Sequence, residues 1–420
     1  MRVAIIAESF LPNINGVTNS VLRVLEHLRE NGHEALVIAP GARDWQEEAE
    51  FYCGYRIERV PTVMVPLIDS LPIGVPHGKV AVALAKFKPD VVHLASPFVL
   101  GGAGALTAKA MGIPVVAVYQ TDVAGFAKNY KLAGLSTAAW SWTRVIHNAC
   151  ARTLAPSSPT IEDLRSHRIR HVHRWGRGVD AVRFTPTKRN GNLRRKWSPQ
   201  GKFIVGYVGR LAAEKSVERL AVLRHREDIQ LVIVGDGPER PHLEKLMPEA
   251  VFTGQLTGDD LAEAFASLDV FVHTGDFETF CQAVQEAHAS GVPAIAPNAG
   301  GPRDLITNGV NGRLLEPSSF ARDLPAAVDS LLLADDVLAR KQLRTRCRET
   351  VAERTWTALC EELLRHYEAV SGVSAAPVVT AAPAQRHPAS AMSSAASMQS
   401  SKSPAVSHGK VTDAQRKTVA

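Results

Sequence analysis

The chain has 420 residues, and its composition, 45% hydrophobic and 21% charged, is typical of a soluble globular protein. This length exceeds one ordinary core and suits two α/β domains with additional segments. Five cysteines without a Cys-x-x-Cys pair argue against a disulfide framework or a structural zinc site and favour a reducing cytoplasm. The apolar run Val3–Ala7 is too short for a signal peptide, and no run reaches the roughly 18 residues of a membrane-spanning helix.

The net charge of +6 is unevenly distributed along the chain. One stretch contains a single acid, Asp180, among the basic residues Arg165, Arg168, Arg170, Arg174, Arg177, Arg183, Lys188, Arg189, Arg194, Arg195 and Lys196. Such a stretch favours lipid headgroups, nucleic acid or phosphates as partners, and it is also compatible with a solvated linker. A nucleic-acid partner is not expected, because the aromatic platforms beside this charge are limited to Trp175, Phe184 and Trp197.

The first part of the chain alternates short apolar runs with amphipathic stretches. Arg2–Ala7 is predicted to be a buried strand, and a helix follows in which Val21, Leu22, Leu25 and Leu28 recur at helical spacing. Thr18 or Asn19 is the expected N-cap of that helix. Further strands are predicted at residues 35–39, 91–94 and 115–119. Apolar strands separated by helices predict a parallel sheet that is covered on both faces.

A second strand–helix series begins at Phe203–Gly209 and continues at residues 231–234, 251–252, 270–273 and 294–296. The glycine-containing segment Trp175–Asp180 separates the two series, so the domains are predicted to span residues 1–180 and 181–350. A helical pattern from 337 to 367 is expected to close the fold, with a closing helix at 351–371. Residues 372–420 are rich in Ala, Ser and Pro and too poor in large apolar residues to offset their ordering entropy, so a disordered tail is predicted.

Two α/β halves place a cleft between the carboxyl ends of two sheets, where such folds bind ligands. Arg210 and Lys215 follow the first strand of the second half and lie five residues apart on one predicted loop. A guanidinium fork and an ammonium point charge are suited to holding a diphosphate. A solvated rim of the domain is the alternative for both residues.

Glu278 and Glu286 are eight residues apart, so on one helix they lie about two turns apart on nearly the same side. A carboxylate at the start of that helix can accept hydrogen bonds from sugar hydroxyls, and the second can bind both hydroxyls of a ribose. The free N–H groups around residues 279–281 suit an anionic or hydroxyl-rich ligand. The alternative is a helix with two solvated acids.

Glycines mark two further loops at the predicted cleft. Gly300 and Gly301 permit a close backbone approach to a phosphate, although a simple tight turn is equally compatible. The loop after the first strand contains only Gly16 and lacks the Gly-x-Gly-x-x-Gly pattern, which argues against a dinucleotide site in the first half. Gly16 can still let the backbone approach a ligand from the opposite wall.

No Asp-x-Asp motif occurs in the chain. Without such a carboxylate pair to hold a divalent ion, cationic side chains and helix N-termini would have to neutralise a diphosphate. The sequence therefore predicts metal independence. The dispersed histidines His93, His147 and His242 are expected to be surface or packing residues.

Taken in chain order, Arg210 and Lys215, then Glu278 and Glu286, then Gly300 and Gly301 resemble the second domain of the retaining GT-B glycosyltransferases of family four. The resemblance covers about residues 1–370. It implies an α/β fold of the GT-B class, in which two Rossmann-like parallel-sheet domains face a deep cleft and a C-terminal helix returns to the first domain.

The resemblance also implies roles for individual residues. Arg210 and Lys215 would hold the donor diphosphate and stabilise the leaving charge, with Gly16 against the diphosphate from the first domain. Glu286 would bind the ribose. The transferred sugar would be held by Glu278 and the backbone of Phe280 and Cys281, and the base would be bordered by Val251 and Phe252.

Two positions depart from the pattern of the family. Cys281 stands where the Glu-x-Phe-Gly motif has glycine, and Gln120 and Asp122 occupy a loop where many members place a histidine that contacts the transferred sugar. Glutamine cannot act as a general acid or base. In the retaining mechanism implied by the family, the leaving phosphate itself deprotonates the incoming hydroxyl, and this tolerates Gln120 as a hydrogen-bonding group. Asp122 is expected to position the substrate, or to form a structural turn.

Across its length the chain resembles actinobacterial GDP-mannose-dependent α-mannosyltransferases acting on glycolipids, through residues 7–20, 118–122 and 175–180. This implies GDP-mannose as donor substrate, no cofactor, and a membrane glycolipid acceptor such as a glucuronosyl diacylglycerol. A phosphatidylinositol mannoside is a second acceptor, and a UDP-hexose-dependent lipid glycosyltransferase is the alternative donor class. A nucleotide-sugar epimerase or a non-catalytic binder is the hypothesis from another class. The residue spacing does not distinguish guanine from uracil.

The segment Pro61–Pro76 is apolar and interrupted by prolines, so it is predicted to lack regular structure. An apolar loop together with a basic stretch suits a protein that sits on an anionic membrane and reaches a lipid acceptor, although a packed core segment is equally compatible. The expectation is a cytoplasmic protein, a monomer or weak dimer, that associates peripherally with the inner face of the plasma membrane.

Overall fold

A computed structural model of the chain describes residues 1–42, 47–64, 72–75, 78–120, 133–332 and 336–376. The first of its two large sheets has eight strands in the order β10-β9-β8-β7-β1-β2-β4-β3, parallel except where β3 pairs antiparallel with β4. These strands are β1 (Arg2–Ala7), β2 (Glu34–Pro40), β3 (Phe51–Tyr52), β4 (Tyr55–Val60), β7 (Val91–Ala95), β8 (Val115–Val118), β9 (Arg152–Ala155) and β10 (Val172–Arg174).

Strand β1 shows why these residues form a central parallel strand. Val3, Ile5 and Ala7 contribute to the core cluster on one face of the sheet, and Ala4 and Ile6 contribute to the cluster on the other face. A strand buried on both faces needs a continuous apolar run, and this one has it. The helices of this half are α1 (Gly16–Glu30), α2 (Lys79–Phe87), α3 (Leu100–Ala110), α4 (Ala133–Ala149) and α5 (Ser158–Ser166).

Helix α1 begins earlier than the sequence predicted. Its N-cap is Asn15, whose side-chain oxygen accepts hydrogen bonds from the N–H groups of Val17 and Thr18 at 2.9 Å each. The prediction of Thr18 or Asn19 as the cap was wrong. Thr18 already lies in the first turn, and its hydroxyl donates to the carbonyl of Asn13 at 2.9 Å.

The segment Pro61–Pro76 was predicted to be irregular, and this was wrong for its described part. β5 (Thr62–Met64) and β6 (Pro72–Gly74) pair antiparallel. Proline is tolerated at the first residue of such a short edge strand. Residues 65–71 and 76–77 lie outside the described part of the chain.

The second large sheet has six parallel strands in the order β13-β12-β11-β14-β15-β16. They are β11 (Phe203–Val208), β12 (Ile229–Val234), β13 (Val251–Gly254), β14 (Val270–Val272), β15 (Ala294–Pro297) and β16 (Gly312–Leu315). Its α-helices are α6 (Gly191–Trp197), α7 (Arg240–Leu246), α8 (Gly258–Ser267), α9 (Gln282–Ala289), α10 (Phe320–Leu332) and α11 (Val337–Glu349).

The helical pattern predicted from 337 to 367 is divided between the two halves. Helix α11 packs in the core of the second half through Leu343 and Cys347, and α12 (Trp356–Ser371) returns to the core of the first half. On α12 the Tyr367 hydroxyl lies 2.6 Å from Nδ1 of the buried His93. The carbonyl of Leu359 accepts a hydrogen bond from the indole N–H of Trp175 at 2.9 Å. The predicted return of a C-terminal helix to the first domain is confirmed.

The first residues assigned to the predicted tail, 372–376, contact the first half. Gly372 caps α12, and Ala375 packs into the core of the first half while its N–H donates to Glu368 at 2.6 Å. Residues 377–420 lie outside the described part of the chain.

The basic stretch from Arg165 to Lys196 does not form one surface. Arg189 and Arg194 both bind the nearly buried Asp269, at 2.6 and 3.0 Å, because this carboxylate needs compensating charge. Arg177 points into the cleft between the sheets, as described below. The stretch is therefore not one continuous anion-binding surface.

Candidate active site

The carboxyl ends of the two large sheets face each other across a cleft. The loop after β14 contacts the first half, since the Thr279 hydroxyl donates to the carbonyl of Gln120 at 3.1 Å. The loop after β15 does so as well, because Asp304 accepts from the N–H of Ser158 at 2.6 Å. Loops from both halves therefore form the walls of a single site, which is where ligands bind in such folds.

A lysine–glutamate pair lies on the wall formed by the second half. Lys215, at the end of a 3-10 helix (Ala213–Lys215) after β11, donates to Oε1 of Glu278 at 2.5 Å. His273 Nε2 lies 3.4 Å from the same oxygen. Burial opposes ionisation of Glu278, but His273, Lys215 and Arg177 outweigh it and bring the pKa of Glu278 below its ordinary value. The pair is therefore a charged pair that presents both signs to the cleft.

The loop that carries Glu278 is fixed to the segment that carries Lys215. Arg219 makes two hydrogen bonds to the carboxylate of Asp276, at 2.7 and 2.8 Å, and one to the carbonyl of Thr274 at 2.8 Å. The Thr274 hydroxyl donates to the carbonyl of Lys215 at 2.6 Å. These bonds hold the ammonium and the carboxylate at a defined separation before any ligand binds.

Arg210 lies on the same rim as Lys215 but extends further into solvent. Its guanidinium pairs with Glu214, and 56% of its side chain is exposed. Its carbonyl accepts a hydrogen bond from the buried Tyr207 hydroxyl at 3.0 Å. The structure thus brings the two predicted cations to one loop, each paired with a different carboxylate.

Glu278 is not part of a helix. Helix α9 begins at Gln282, four residues later, so the prediction that Glu278 and Glu286 lie on one helix was wrong, and only Glu286 is helical. Cys281, the N-cap, has φ +75°, in the left-handed region that favours glycine. This backbone conformation gives a physical reason for the glycine that the family pattern has there. Burial raises the pKa of the Cys281 thiol.

Gly300 and Gly301 let two loops approach each other. The N–H of Gly301 donates to the carbonyl of Glu278 at 2.7 Å, and a Cβ on Gly301 would lie 2.3 Å from backbone atoms of Phe280. Gly300 has φ +54°, and a Cβ there would lie 2.3 Å from the carbonyl oxygen of Glu278. These glycines therefore set the position of the Glu278–Phe280 backbone.

The structure adds Arg177 to the site, a residue whose place there the sequence did not reveal. Its Nη2 donates to Oε1 of Gln120 at 2.6 Å and to the carbonyl of Gly16 at 3.2 Å. A Cβ on Gly16 would lie 3.0 Å from Arg177 Nη1, so the glycine makes room for the guanidinium. Burial lowers the pKa of Arg177 to about 10, while Glu278 and Glu286 act in the opposite direction. The only signal in the sequence was an arginine between two glycines in the predicted linker.

Helix α9 holds that linker in place. Gln282 donates to the carbonyl of Gly178 at 3.1 Å, and Gln285 donates to the carbonyl of Arg177 at 2.8 Å. Glu286 follows on the same helix. Burial raises the pKa of Glu286 to about 8, against the effects of the Gln282 hydrogen bond and of Arg177. The site therefore combines one ionised carboxylate with one whose proton is retained near neutral pH.

Two other predicted site residues lie apart from this cluster. Val251 and Phe252 are the first two residues of β13, three and two residues before its end at Gly254, and they pack toward opposite core clusters. Asp122 lies outside the described residues. His93 and His147 are buried and hydrogen-bonded to Tyr367 and Thr153, as packing residues are, and His242 is exposed.

Chemically, this cleft presents cations and carboxylates to a polar ligand. Within the described ranges, no group of three or more His, Cys, Asp or Glu side chains is arranged to hold a metal ion. None of the helices in the described part of the chain is both long and apolar enough to span a membrane.

Comparison with known proteins shows the family. Residues 14–183 match the family described as Glycosyltransferase Family 4, and residues 190–354 match Glycosyl transferases group 1. The chain is 60% identical over 375 residues to a GDP-mannose-dependent alpha-mannosyltransferase of Corynebacterium glutamicum, covering 89% of this chain and 90% of that protein. It is 27% identical over 325 residues to a GDP-mannose-dependent alpha-(1-6)-phosphatidylinositol dimannoside mannosyltransferase of Mycobacterium tuberculosis, covering 73% and 82% of the two chains.

The fold is also found among solved structures. The sucrose-phosphate synthase of Thermosynechococcus elongatus superposes with a TM-score of 0.71 at 19% identity, covering 89% of this chain and all of the other. At this identity the likeness concerns the fold, and it agrees with two parallel-sheet domains around a cleft. With family matches in both halves and a 60% identical relative, the chain belongs to glycosyltransferase family 4 and is a glycosyltransferase with the GT-B fold.

Proposed function

We propose that this glycosyltransferase transfers mannose from GDP-mannose to a membrane glycolipid, with retention of configuration and without a metal ion. The observation that carries the donor assignment is the 60% identity to the Corynebacterium glutamicum protein named for that donor and reaction. The cleft supports it, because Lys215, Glu278 and Arg177 provide the charges that a diphosphate and a sugar require.

In this proposal each wall of the cleft binds a different part of the donor. Arg210 and Lys215 hold the diphosphate from the second half, with Gly16 opposite and with Gly300 and Gly301 behind the sugar-binding loop. The nucleoside lies against Glu286, which binds the ribose, and near Val251 and Phe252. The mannose is held by Glu278 and the backbone of Phe280 and Cys281.

The transfer step uses this arrangement without a protein base. The bond between the mannose anomeric carbon and the β-phosphate oxygen breaks, and the acceptor oxygen forms a bond to the same carbon on the same face. The proton of the acceptor hydroxyl passes to the leaving phosphate, which departs as GDP. Lys215 and Arg210 stabilise the negative charge that develops on that phosphate. Neither wall needs a general base, which suits Gln120 in the opposing loop.

Arg177 has a positioning role in this scheme. It joins Gly16 and Gln120 on one wall to α9 on the other, where Gln285 holds its carbonyl. It therefore fixes the distance between the two walls that grip the donor. Gln120 orients the guanidinium of Arg177, and Asp122 is assigned to positioning the substrate.

For the acceptor we propose a membrane glycolipid such as a glucuronosyl diacylglycerol, with the enzyme bound peripherally to the inner face of the plasma membrane. Support for a lipid comes from the Mycobacterium tuberculosis relative, whose name specifies a phosphatidylinositol dimannoside. A phosphatidylinositol mannoside is accordingly the second acceptor to test.

Calorimetric titration with GDP and with UDP tests the donor assignment. The proposal predicts tighter binding of GDP, unchanged by EDTA. Lys215→Ala and Glu286→Ala should each weaken GDP binding by about tenfold or more, because the first removes a charged hydrogen-bond donor to the diphosphate and the second removes the carboxyl that binds the ribose hydroxyls. Lys245→Ala, at an exposed position on α7, is the matched control and should bind GDP as the wild type does. Preference for UDP would contradict the guanine assignment and favour a UDP-hexose-dependent enzyme.

A further inference from the structure

A second cluster of charge lies on the second half, away from the cleft. It surrounds a cavity of about 360 Å³. Phe203 is the first residue of β11, Asp269 immediately precedes β14, and Pro293 immediately precedes β15. The cavity is therefore at the amino ends of these strands, whereas the active site is at their carboxyl ends. The two sites therefore lie at opposite ends of the strands of the same sheet.

The polar lining of the cavity is almost entirely basic. It consists of Arg189, Arg194, Arg340, Lys341 and Arg344, with Asp269 as the one acid among the described lining residues. Asp269 is already engaged, since Arg189 and Arg194 bind its two oxygens and the N–H of Ile204 donates to it at 2.8 Å. One carboxylate thus makes direct ion pairs with two guanidinium groups, and it acts on Arg344 only through its charge.

The remaining three cations have no carboxylate partner in the described part of the chain. Arg344 is directed at the carbonyls of Ala266 and Leu268, both at 3.4 Å. Arg340 lies over the ring of Phe203, with its guanidinium carbon 5.3 Å from the ring centre. The nearby acid Asp336 is used to cap α11, where it accepts from the N–H of Ala339 at 2.8 Å. Burial lowers the pKa of Arg344 to about 10, and the charge of Arg189 adds to this effect.

Cations that line one cavity repel one another, and a bound anion relieves this repulsion. Guanidinium groups in particular are suited to phosphate, which they bind through two parallel hydrogen bonds. The cavity is also partly apolar, because Phe203, Leu331, Val337 and Leu343 line it. A bare inorganic ion would leave this apolar part unfilled, whereas a phosphate ester with a carbon skeleton would contact both parts.

We propose that this cavity is a second anion site, distinct from the donor site, that binds a phosphate monoester carried on a small organic group. The chemistry is shared by free phosphorylated metabolites and by the phosphate headgroup of an anionic lipid. The proposal does not depend on which sugar the enzyme transfers, because none of the residues involved lies in the active-site cleft.

The experiment compares binding to the full chain of two probes that carry the same group: free glycerol 3-phosphate by calorimetry, and vesicles containing phosphatidic acid by flotation. All proteins also carry Lys215→Ala, so that binding at the donor site is weakened equally in every variant and cannot account for a difference between them. The double substitution Arg340→Glu and Lys341→Glu removes two cations that make no side-chain hydrogen bond to the described fold. Lys86→Glu with Lys245→Glu makes the same change of net charge at exposed positions away from the cavity.

If the affinity for glycerol 3-phosphate falls by about tenfold or more in the cavity variant and not in the control, a metabolite site is supported. The same loss confined to phosphatidic acid vesicles supports a lipid headgroup site. Binding of neither probe, or equal binding by both variants, would overturn the proposal. The milder pair Arg340→Gln and Lys341→Gln should show the same loss, and this separates lost binding from lost folding.

Discussion

At the level of single residues, the environment of Glu286 predicts a pH dependence of the free energy of unfolding. This dependence can be measured without a substrate. The folded chain holds the proton of this carboxyl up to a pKa of about 8, whereas its ordinary value is 4.5. Between these values the unfolded chain has released the proton and the folded chain has not. The free energy of unfolding therefore contains a contribution that falls as pH rises through this interval.

The substitution Glu286→Gln removes this contribution while keeping the shape of the side chain. We expect the melting temperature of the variant, relative to the wild type, to increase from pH 5 to about pH 8 and then to level off. Differential scanning calorimetry across this range measures the difference. Glu249→Gln, at an exposed position, gives the baseline for losing one carboxylate. A difference between Glu286→Gln and wild type that does not change with pH would show that burial does not control the ionisation of Glu286.

The site residues that the sequence revealed share one property: each was recognised from its own residue type and its position after a predicted strand. Lys215 and Glu278 were recognised because a cation and a carboxylate each follow a predicted strand. The sequence does not show that they form a pair, since they are 63 residues apart. Arg177 was missed for the same reason, because its contacts with Gly16 and Gln120 come from strands whose arrangement only the fold decides.

At the element scale, the loop after β14 and the loop after β15 depend on glycine for their contact. A Cβ on Gly301 would come within 2.3 Å of the backbone of Phe280, a separation that real Cβ atoms do not show. Neither partner is the flexible end of a side chain, so the backbone itself would have to move. The loop that carries Glu278 would shift with it.

We therefore expect Gly301→Ala to destabilise the protein by about 1–3 kcal/mol through overpacking, and to weaken GDP binding by displacing Glu278. Urea unfolding measures the first effect and calorimetric titration the second. Gly191→Ala is the matched control, because a Cβ there would meet only the end of Arg195 at 3.6 Å, an ordinary contact. If the two variants are equally stable and bind GDP equally well, the close approach of the two loops is not required for stability or for GDP binding.

The strands were predicted more accurately than the helix ends. Strand β1 was placed at Arg2–Ala7 because a continuous apolar run has one interpretation in a parallel sheet. Helix ends depend on which side chain reaches a free N–H, and several neighbours qualify. Asn15 caps α1 where Thr18 or Asn19 was expected, and α9 begins at Gln282 because residues 278–280 are held against Gly301.

At the scale of the whole molecule, the two-sheet architecture followed from the alternation of apolar runs and amphipathic stretches. The sequence indicated a closing helix, and α12 packs on the first sheet. The sequence did not show that the pattern from 337 to 367 consists of two helices that pack in different cores. That division is decided by contacts such as the one between Tyr367 and His93, which are 274 residues apart.

We propose that a single cleft between the two halves transfers mannose from GDP-mannose to a lipid. The most direct measurement is transfer of radiolabelled mannose from GDP-mannose to membrane lipids by the wild type and by Lys215→Ala, with Lys245→Ala as control. Under this proposal we expect labelled lipid with the wild type and the control, in the presence of EDTA, and a loss of about tenfold or more with Lys215→Ala. Absence of labelled lipid with the wild type, or full activity of Lys215→Ala, would contradict it.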